Sequence, residues 1–167
     1  MKKKTALILL VIGGLVGVSM IGVLTAIALP NFLKYRYKSK QSEAKYMLKV
    51  LLTQEQEFRR VQGFWATSSR ELVEYVNSAP RSSTCFLGPG AGWGGKGDVK
   101  FEQLPAGVRE RLSANLEAVA AQKSKRNPDA DLTIACAVNL DDDPALDVWS
   151  ISSSEPTPRN DFSDLGE

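Results

Sequence analysis

The side chains that most often carry enzymatic chemistry are scarce in this sequence. Its 167 residues include 19 acids and 21 bases but no histidine. Histidine is the commonest general base and a frequent metal ligand, so its absence argues against most hydrolase triads and zinc sites. No spacing of the acids predicts a catalytic pair in a cleft. We therefore predict no catalytic residues and no cofactor, and the near-balanced charge predicts no direct nucleic-acid partner.

Cys85 and Cys136 are the two cysteines of the chain. In an exported domain an even pair of cysteines favours a disulfide, and closing a loop of about 50 residues would stabilise the fold by roughly 4 kcal/mol. The alternative is two separate buried thiols, because Cys136 falls on the apolar face of a predicted strand. Neither cysteine belongs to a C-x-x-C motif or another metal-ligand spacing.

Four oxygen-bearing side chains near residue 140 could bind a hard cation. Alternation of oxygen ligands resembles the start of a calcium loop, which makes Asn139, Asp141, Asp143 and Asp147 calcium candidates. Pro144 stands where such a loop needs glycine, and Ser150 stands where a closing glutamate is needed. The pattern therefore favours a solvated acidic turn over a metal site.

A glycine-rich segment, Gly88–Gly97, contains Lys96 and invites comparison with a phosphate-binding loop. That loop requires a hydroxyl residue after the lysine and a helix beyond it, whereas Gly97 follows Lys96 and a strand-like run, Val99–Phe101, comes next. We interpret the segment as an exposed loop.

The element that dominates the chain is an uncharged apolar run, Thr5–Leu29. As a helix it would be about 38 Å long, enough to cross a hydrocarbon layer of about 30 Å. A cleaved signal ending at Ala26-Ile27-Ala28 is the alternative, although signal cores are shorter. Gly13-x-x-x-Gly17 lets membrane helices approach closely, but glycine is also common in such helices for other reasons.

The helix is predicted to continue beyond the apolar run. Residues 31–62 contain no glycine or proline, and apolar residues recur there at spacings of three and four (Ala44, Met47, Leu48, Leu51, Phe58 and Val61). Gly63 is a predicted stop, and Pro30 is predicted to kink a single helix from Thr5 to Gln62. The alternative is a hinge at Pro30 between two separate helices.

The residues after Gly63 predict a small domain of helices and strands. A capping box at Ser68–Glu71 starts a short helix that extends to about Val76, and a second helix spans 105–122. Alternation over Leu132–Leu140 indicates a strand with one apolar face, and Leu146–Ser152 returns as its partner. The tail from Ser153 is rich in serine, proline and acids, which is typical of a loose segment.

The run Ile21–Phe32, ending in AIALPNF, and the following Ser39–Lys45, SKQSEAK, resemble the N-terminal helix of type IV pilins and of the pseudopilins of type II secretion. Strand residues 132–151 are more weakly similar to the C-terminal sheet of some pilins. The resemblance implies an α+β fold in which the long helix packs on a small antiparallel sheet. It also implies that Gly13, Gly17, Gly22 and Pro30 lie on an assembly helix.

Two hallmarks of that family are replaced in this chain. Alignment on Pro30 puts Ile8 where the family has the glycine cut by prepilin peptidase, and Gly13 where it has a buried glutamate. No acid precedes Glu43, so no shift of register restores the glutamate. In pilins that carboxylate is thought to pair with the freed amine of a neighbouring subunit. The replacements favour a second interpretation, an unprocessed, membrane-tethered accessory or binding protein of pilin-like fold.

The four predicted parts are a leader-like basic start with a transmembrane helix (1–29), an amphipathic continuation (30–62), an α+β head (63–152) and a loose acidic tail (153–167). The resemblance implies a structural subunit, a pilin or minor pilin, that assembles into a pilus or pseudopilus. Its expected partners are other pilin or pseudopilin subunits, the assembly machinery and inner-membrane lipid. The expected location is the inner membrane, with one span and a periplasmic head, or a pilus on the surface of a Gram-negative cell.

Charge is unevenly distributed along the chain. Residues 34–49 hold six bases and one acid, whereas residues 127–167 hold ten acids and one base. The basic segment could meet the acidic segment of another subunit or anionic lipid headgroups, and the sequence leaves both open.

Overall fold

The computed structural model describes residues 2–72, 80–90, 92–94, 99–125, 130–140 and 144–163, with the backbone alone described for 2–12, 69 and 122–125. The chain divides into two compact units, Met1–Lys38 and Ser39–Glu167. The first unit is helical wherever it is described, and the strands that the structure describes lie in the second.

Helix α1 spans Lys2–Gln62 and includes Pro30. It ends at the predicted stop: Gly63 has φ 83°, a left-handed conformation that favours glycine, and its N–H donates to the carbonyl of Arg59 at 2.7 Å. By length and composition, α1 is the one described helix that could cross a membrane. From Leu15 to Leu33 its large apolar side chains are exposed, as at Leu15 (71%) and Ile21 (64%).

The other elements are α2 (Ser69–Leu72), β1 (Ser83–Phe86), β2 (Trp93–Gly94), a 3₁₀ helix (Phe101–Gln103), α3 (Ala106–Lys125), β3 (Thr133–Val138), β4 (Asp147–Ser152) and β5 (Arg159–Phe162). The strands form one antiparallel sheet in the order β2-β1-β3-β4-β5. Pairing of Thr133 with Ser152 and of Val138 with Asp147 confirms the predicted hairpin. The α+β architecture with a long helix packed on a small antiparallel sheet is likewise confirmed.

The sheet is covered on both faces, whereas the sequence predicted one apolar face for β3. Ile134 and Cys136 are buried, and so are the intervening Ala135 and Ala137. One face joins a core formed with α3 and the 3₁₀ helix by Phe86, Phe101, Leu104, Val108, Leu112, Ala135, Ala137, Leu146 and Val148. On the other face, Cys85, Cys136 and Trp149 are register neighbours, and Trp149 contacts Lys45 of α1. Small alanines suit a central strand that helices approach from both sides.

The C-terminal half of α1 buries the predicted apolar stripe. Ala44 and Leu48 are fully buried, and Leu51 and Phe58 are nearly so. Full burial of one leucine contributes about 1.5–3 kcal/mol. The prediction is wrong at Val61, which is 58% exposed. The chain turns one residue after α1 ends, and the Phe64 ring then packs edge-on against Phe58 at 5.8 Å.

Three local predictions differ from the structure because tertiary contacts override local pattern. Within the predicted loose tail, Arg159–Phe162 forms β5. Phe101 starts a 3₁₀ helix instead of ending a strand, since its ring enters the core beside Phe86. Trp93–Gly94, within the predicted exposed loop, pairs with β1, and a Cβ on Gly94 would lie 2.7 Å from the Ser83 carbonyl oxygen.

Helix α2 starts as predicted, but its capping differs from a standard capping box. The Glu71 side chain accepts from the N–H of Thr67, one residue before the expected donor Ser68. The predicted extension of α2 to Val76 lies outside the described residues.

Candidate assembly helix

The apolar half of α1 presents an open glycine face at Gly13 and Gly17. A Cβ added at either residue, or at Gly22 on the opposite side of the helix, would meet no described atom within 4 Å. Packing within this chain therefore does not require glycine at these positions. Small residues four apart allow a second helix backbone to approach closely in lipid. The face is suited to contact between chains.

Two hydroxyl side chains in the described part of this half form hydrogen bonds within the helix and do not require water. The hydroxyl of Ser19 donates to the carbonyl of Leu15 at 2.9 Å, and that of Thr25 donates to the carbonyl of Ile21 at 2.8 Å. Such bonds to the preceding turn satisfy hydroxyl groups inside a hydrocarbon layer. They remove an obstacle to burying this half of α1 in lipid or among other helices.

Lys40 fastens α1 to the end of β3. Its Nζ donates to the carbonyls of Asn139 and Leu140 at 2.9 and 2.8 Å, about one hundred residues along the chain. A cation that bridges two carbonyls holds Asn139 and Leu140, which follow β3, against the helix.

We expect Lys40→Met to lower the free energy of unfolding by about 2 kcal/mol, because two partly buried carbonyls lose a charged donor. The measurement is guanidinium unfolding of the full chain in detergent, followed by tryptophan fluorescence. Lys49→Met is the matched control, since Lys49 is exposed on the same helix and should change the value by less than about 0.5 kcal/mol. Equal effects of the two variants would contradict the fastening role.

Glu43 fastens the same helix to the start of β1. Its carboxylate accepts from the N–H of Arg81, from the N–H of Ser82 at 3.1 Å and from the Ser82 hydroxyl at 2.7 Å. Partial burial alone would raise the pKa of Glu43, but these hydrogen bonds and the charge of Arg81 outweigh it and lower the pKa. The ionised carboxylate therefore stabilises the folded head.

A third contact joins α1 to β4. The Nζ of Lys45 lies 3.7 Å from the centroid of the Trp149 ring, within the range of a cation–π interaction. The indole N–H of Trp149 donates to Asp147, whose other oxygen accepts from the amide of Asn160 at 3.4 Å. These contacts link α1 through β4 to β5.

Glu55 is the most unusual side chain of the helix. It is fully buried, its Oε2 accepts from the N–H of Ala66 at 3.0 Å, and its Oε1 has no hydrogen-bond partner among the described residues. Burial raises the pKa of Glu55 to about 8; the bond from Ala66 opposes this rise and the charge of Glu71 adds to it. The carboxyl is therefore mainly protonated at neutral pH.

The residues that the sequence predicted as sites lie in different parts of the structure. Cys85 and Cys136 are paired residues on β1 and β3, and a disulfide joins them across a sequence separation of 51 residues. Both cysteines are buried. The disulfide ties the first strand of the sheet to its central strand.

The four calcium candidates are only partly described. Asn139 contributes its carbonyl to Lys40, and both carboxylate oxygens of Asp147 accept hydrogen bonds. Asp141 and Asp143 lie outside the described residues. In the described part of the chain, no three His, Cys, Asp or Glu residues group as metal ligands. The calcium site stays a prediction.

The sequence analysis missed Lys40, Glu43 and Glu55 as structural contacts. A signal for Glu55 was present, because positions 44, 48, 51, 55 and 58 follow alternating spacings of four and three, so Glu55 stands in the buried stripe. No comparable signal exists for Lys40 or Glu43, whose partners are distant in sequence.

No protein-family model matches the chain. The chain is 56% identical over 41 residues to the type IV major pilin protein PilA of Myxococcus xanthus (strain DK1622). Over those 41 residues the chain resembles a type IV pilin. The match covers 25% of this chain and 19% of that protein, so the chain spans about a fifth of the length of the curated relative it matches.

Helix α1 has two halves of different character. Its N-terminal half is apolar and exposed, and its C-terminal half holds a head through Lys40, Glu43 and Lys45. One helix thus combines a candidate membrane span with the support of an α+β head.

Proposed function

We propose that this pilin-like chain is a structural subunit that assembles with other pilin or pseudopilin subunits through α1, from Thr5 to about Phe58. Its apolar half is the single span of an inner-membrane anchor and its head is periplasmic before assembly. The product is a pilus or pseudopilus whose centre is formed by packed helices, and the assembly machinery is the second partner. The similarity to a major pilin favours this structural role over a catalytic one.

The observation that supports the proposal most is the unused glycine face of α1. Exposed apolar residues follow Gly13 and lie on both sides of Gly17, and neither glycine is needed for contacts among the described residues. Burying this surface against neighbouring helices or lipid removes apolar area from water and allows close helix contact. A solitary soluble protein would gain nothing from such a surface.

The test is recovery of the chain in fibres sheared from cells that carry the assembly machinery. We expect Gly17→Leu to reduce the fibre-borne fraction at least tenfold, because the added side chain separates neighbouring helix backbones, while the amount in the membrane stays the same. Gly107→Leu is the matched control: Gly107 is a helical glycine of the head where a Cβ also meets no described atom within 4 Å. Unchanged fibre recovery in Gly17→Leu would contradict assembly through this face.

The replaced hallmarks favour a second candidate function. With Ile8 and Gly13 at the positions of the processing glycine and the buried glutamate, the chain would stay uncut and act as a membrane-tethered accessory or binding protein. Mass spectrometry of the N-terminus distinguishes the two candidates. A terminus that retains Lys2–Lys4, with no recovery in sheared fibres, would establish the accessory role and overturn the subunit role.

A further inference from the structure

Cationic and aromatic side chains alternate immediately after the apolar part of α1. Phe32 and Tyr35 are 64% and 72% exposed, and Lys34 and Arg36 are exposed as well. We name this segment the interface band; its members are Phe32, Lys34, Tyr35, Arg36, Tyr37 and Lys38. It occupies about 9 Å of helix at roughly 1.5 Å per residue.

We propose that the interface band binds the phosphate groups of anionic phospholipids. This inference rests on the membrane anchoring in the proposed function. The uncharged run Thr5–Leu29 is long enough to fill the hydrocarbon layer, so the band begins where that layer ends. The polar interface on each side of a bilayer is about 5–8 Å thick, which is similar to the length of the band.

Lys34 and Arg36 have no acid nearby in sequence to neutralise their charge. No aspartate or glutamate lies within four positions of either residue. The nearest acid, Glu43, accepts hydrogen bonds from Arg81 and Ser82. Lys34 and Arg36 thus present charge to an external anion, whereas Lys40 is held by the head.

The side-chain chemistry fits lipid headgroups in particular. Tyrosine rings favour the membrane interface because one end is apolar and the other carries a hydroxyl. Long basic side chains keep their stems against apolar surface while their charges reach the phosphates. A free anion would be recognised by the charges alone and would not require the two exposed rings of Phe32 and Tyr35 beside an apolar span.

The test compares lipid preference in bilayers that contain the full chain. Spin-labelled phosphatidylglycerol and phosphatidylcholine are introduced into phosphatidylcholine bilayers, and electron paramagnetic resonance gives the fraction of each in contact with protein. We expect phosphatidylglycerol to be preferred about tenfold, since each basic residue contributes up to roughly fivefold. Replacing the three bases by glutamine (Lys34→Gln, Arg36→Gln, Lys38→Gln) should lower the preference at least fivefold, and 1 M salt should do the same to the unchanged chain.

A matched variant neutralises three exposed bases of the other unit (Lys49→Gln, Arg70→Gln, Lys100→Gln) and should keep the preference. Equal preference for the two lipids in the unchanged chain would overturn the inference, as would loss of preference on adding inorganic phosphate at constant ionic strength. Cross-linking between copies of the chain is measured in the same bilayers. A triple variant that loses this cross-linking but keeps its lipid preference would also overturn the inference, because the band would then contact a second chain. Failure of the chain to enter bilayers would instead contradict the proposed anchoring.

Discussion

Glu55→Gln is expected to raise the free energy of unfolding by up to about 5 kcal/mol at pH 9. Burial raises the pKa of Glu55 to about 8 from an ordinary value of 4.5, and each pH unit of that gap corresponds to about 1.36 kcal/mol. The folded state therefore holds the proton more tightly than the unfolded state. Stability from the neutral carboxyl is fully present below pH 4.5 and is lost as the pH rises to about 8.

The glutamine variant has no proton to lose, and its amide oxygen can still accept the N–H of Ala66. Its stability should therefore be nearly constant where that of the unchanged chain falls. The measurement is guanidinium unfolding of both full-length chains in detergent from pH 4 to pH 9. The fluorescence of Trp65 is a suitable signal, because its indole is buried and donates to the carbonyl of Ala130 at 2.7 Å. Trp65 also directly precedes Ala66, whose N–H donates to Glu55.

Glu43→Gln provides a control of opposite sign on the same helix. The pKa of Glu43 is lowered in the folded state, so its contribution is present above pH 4.5 and is lost as the pH falls through the folded pKa. The variant should be less stable at pH 7 by about 2 kcal/mol, and the deficit should shrink in acid. Parallel pH curves for Glu55→Gln and the unchanged chain would show that Glu55 ionises normally.

The second large effect is expected from removing the disulfide. The combined variant Cys85→Ala and Cys136→Ala should lower the free energy of unfolding by about 4 kcal/mol, because a loop closed over 51 residues restricts the unfolded chain. β1 and β2 should be the first strands to separate, since the disulfide joins β1 to the central strand β3.

Unfolding in guanidinium with and without dithiothreitol measures this contribution. The reductant should reduce the stability of the unchanged chain to about that of the double variant, and it should leave the double variant unaffected. An unfolding midpoint of the unchanged chain that does not move with reductant would contradict the prediction. The expected loss is a large part of the stability of a small domain.

The C-terminal half of α1 is attached to the head by three charged side chains. Lys40, Glu43 and Lys45 attach the helix to the head through a carbonyl pair, a strand end and an indole ring. Each attachment uses a charge that is directed at a specific partner, so the head stays fixed to the C-terminal half of the helix. The proposed lipid contacts and the proposed subunit contacts would therefore use α1 without rearranging the head.

Much of this protein follows from the sequence because the relevant physics is local. The absence of charge over Thr5–Leu29, the apolar period after it and the stop at Gly63 each depend on neighbouring residues, and they predicted α1 almost to its ends. The β3–β4 hairpin followed in the same way from alternation on both sides of an acidic turn.

Other properties depend on residues that the chain brings together from far apart. The protonated state of Glu55 requires burial on all sides, and the attachment of Lys40 requires carbonyls about one hundred residues away. Strand β5 has a polar, proline-flanked sequence, and it forms because β4 offers a pairing edge while Asp161 pairs with Arg111 of α3 and Arg159. Local propensity carries no information about such partners, so packing alone determined them.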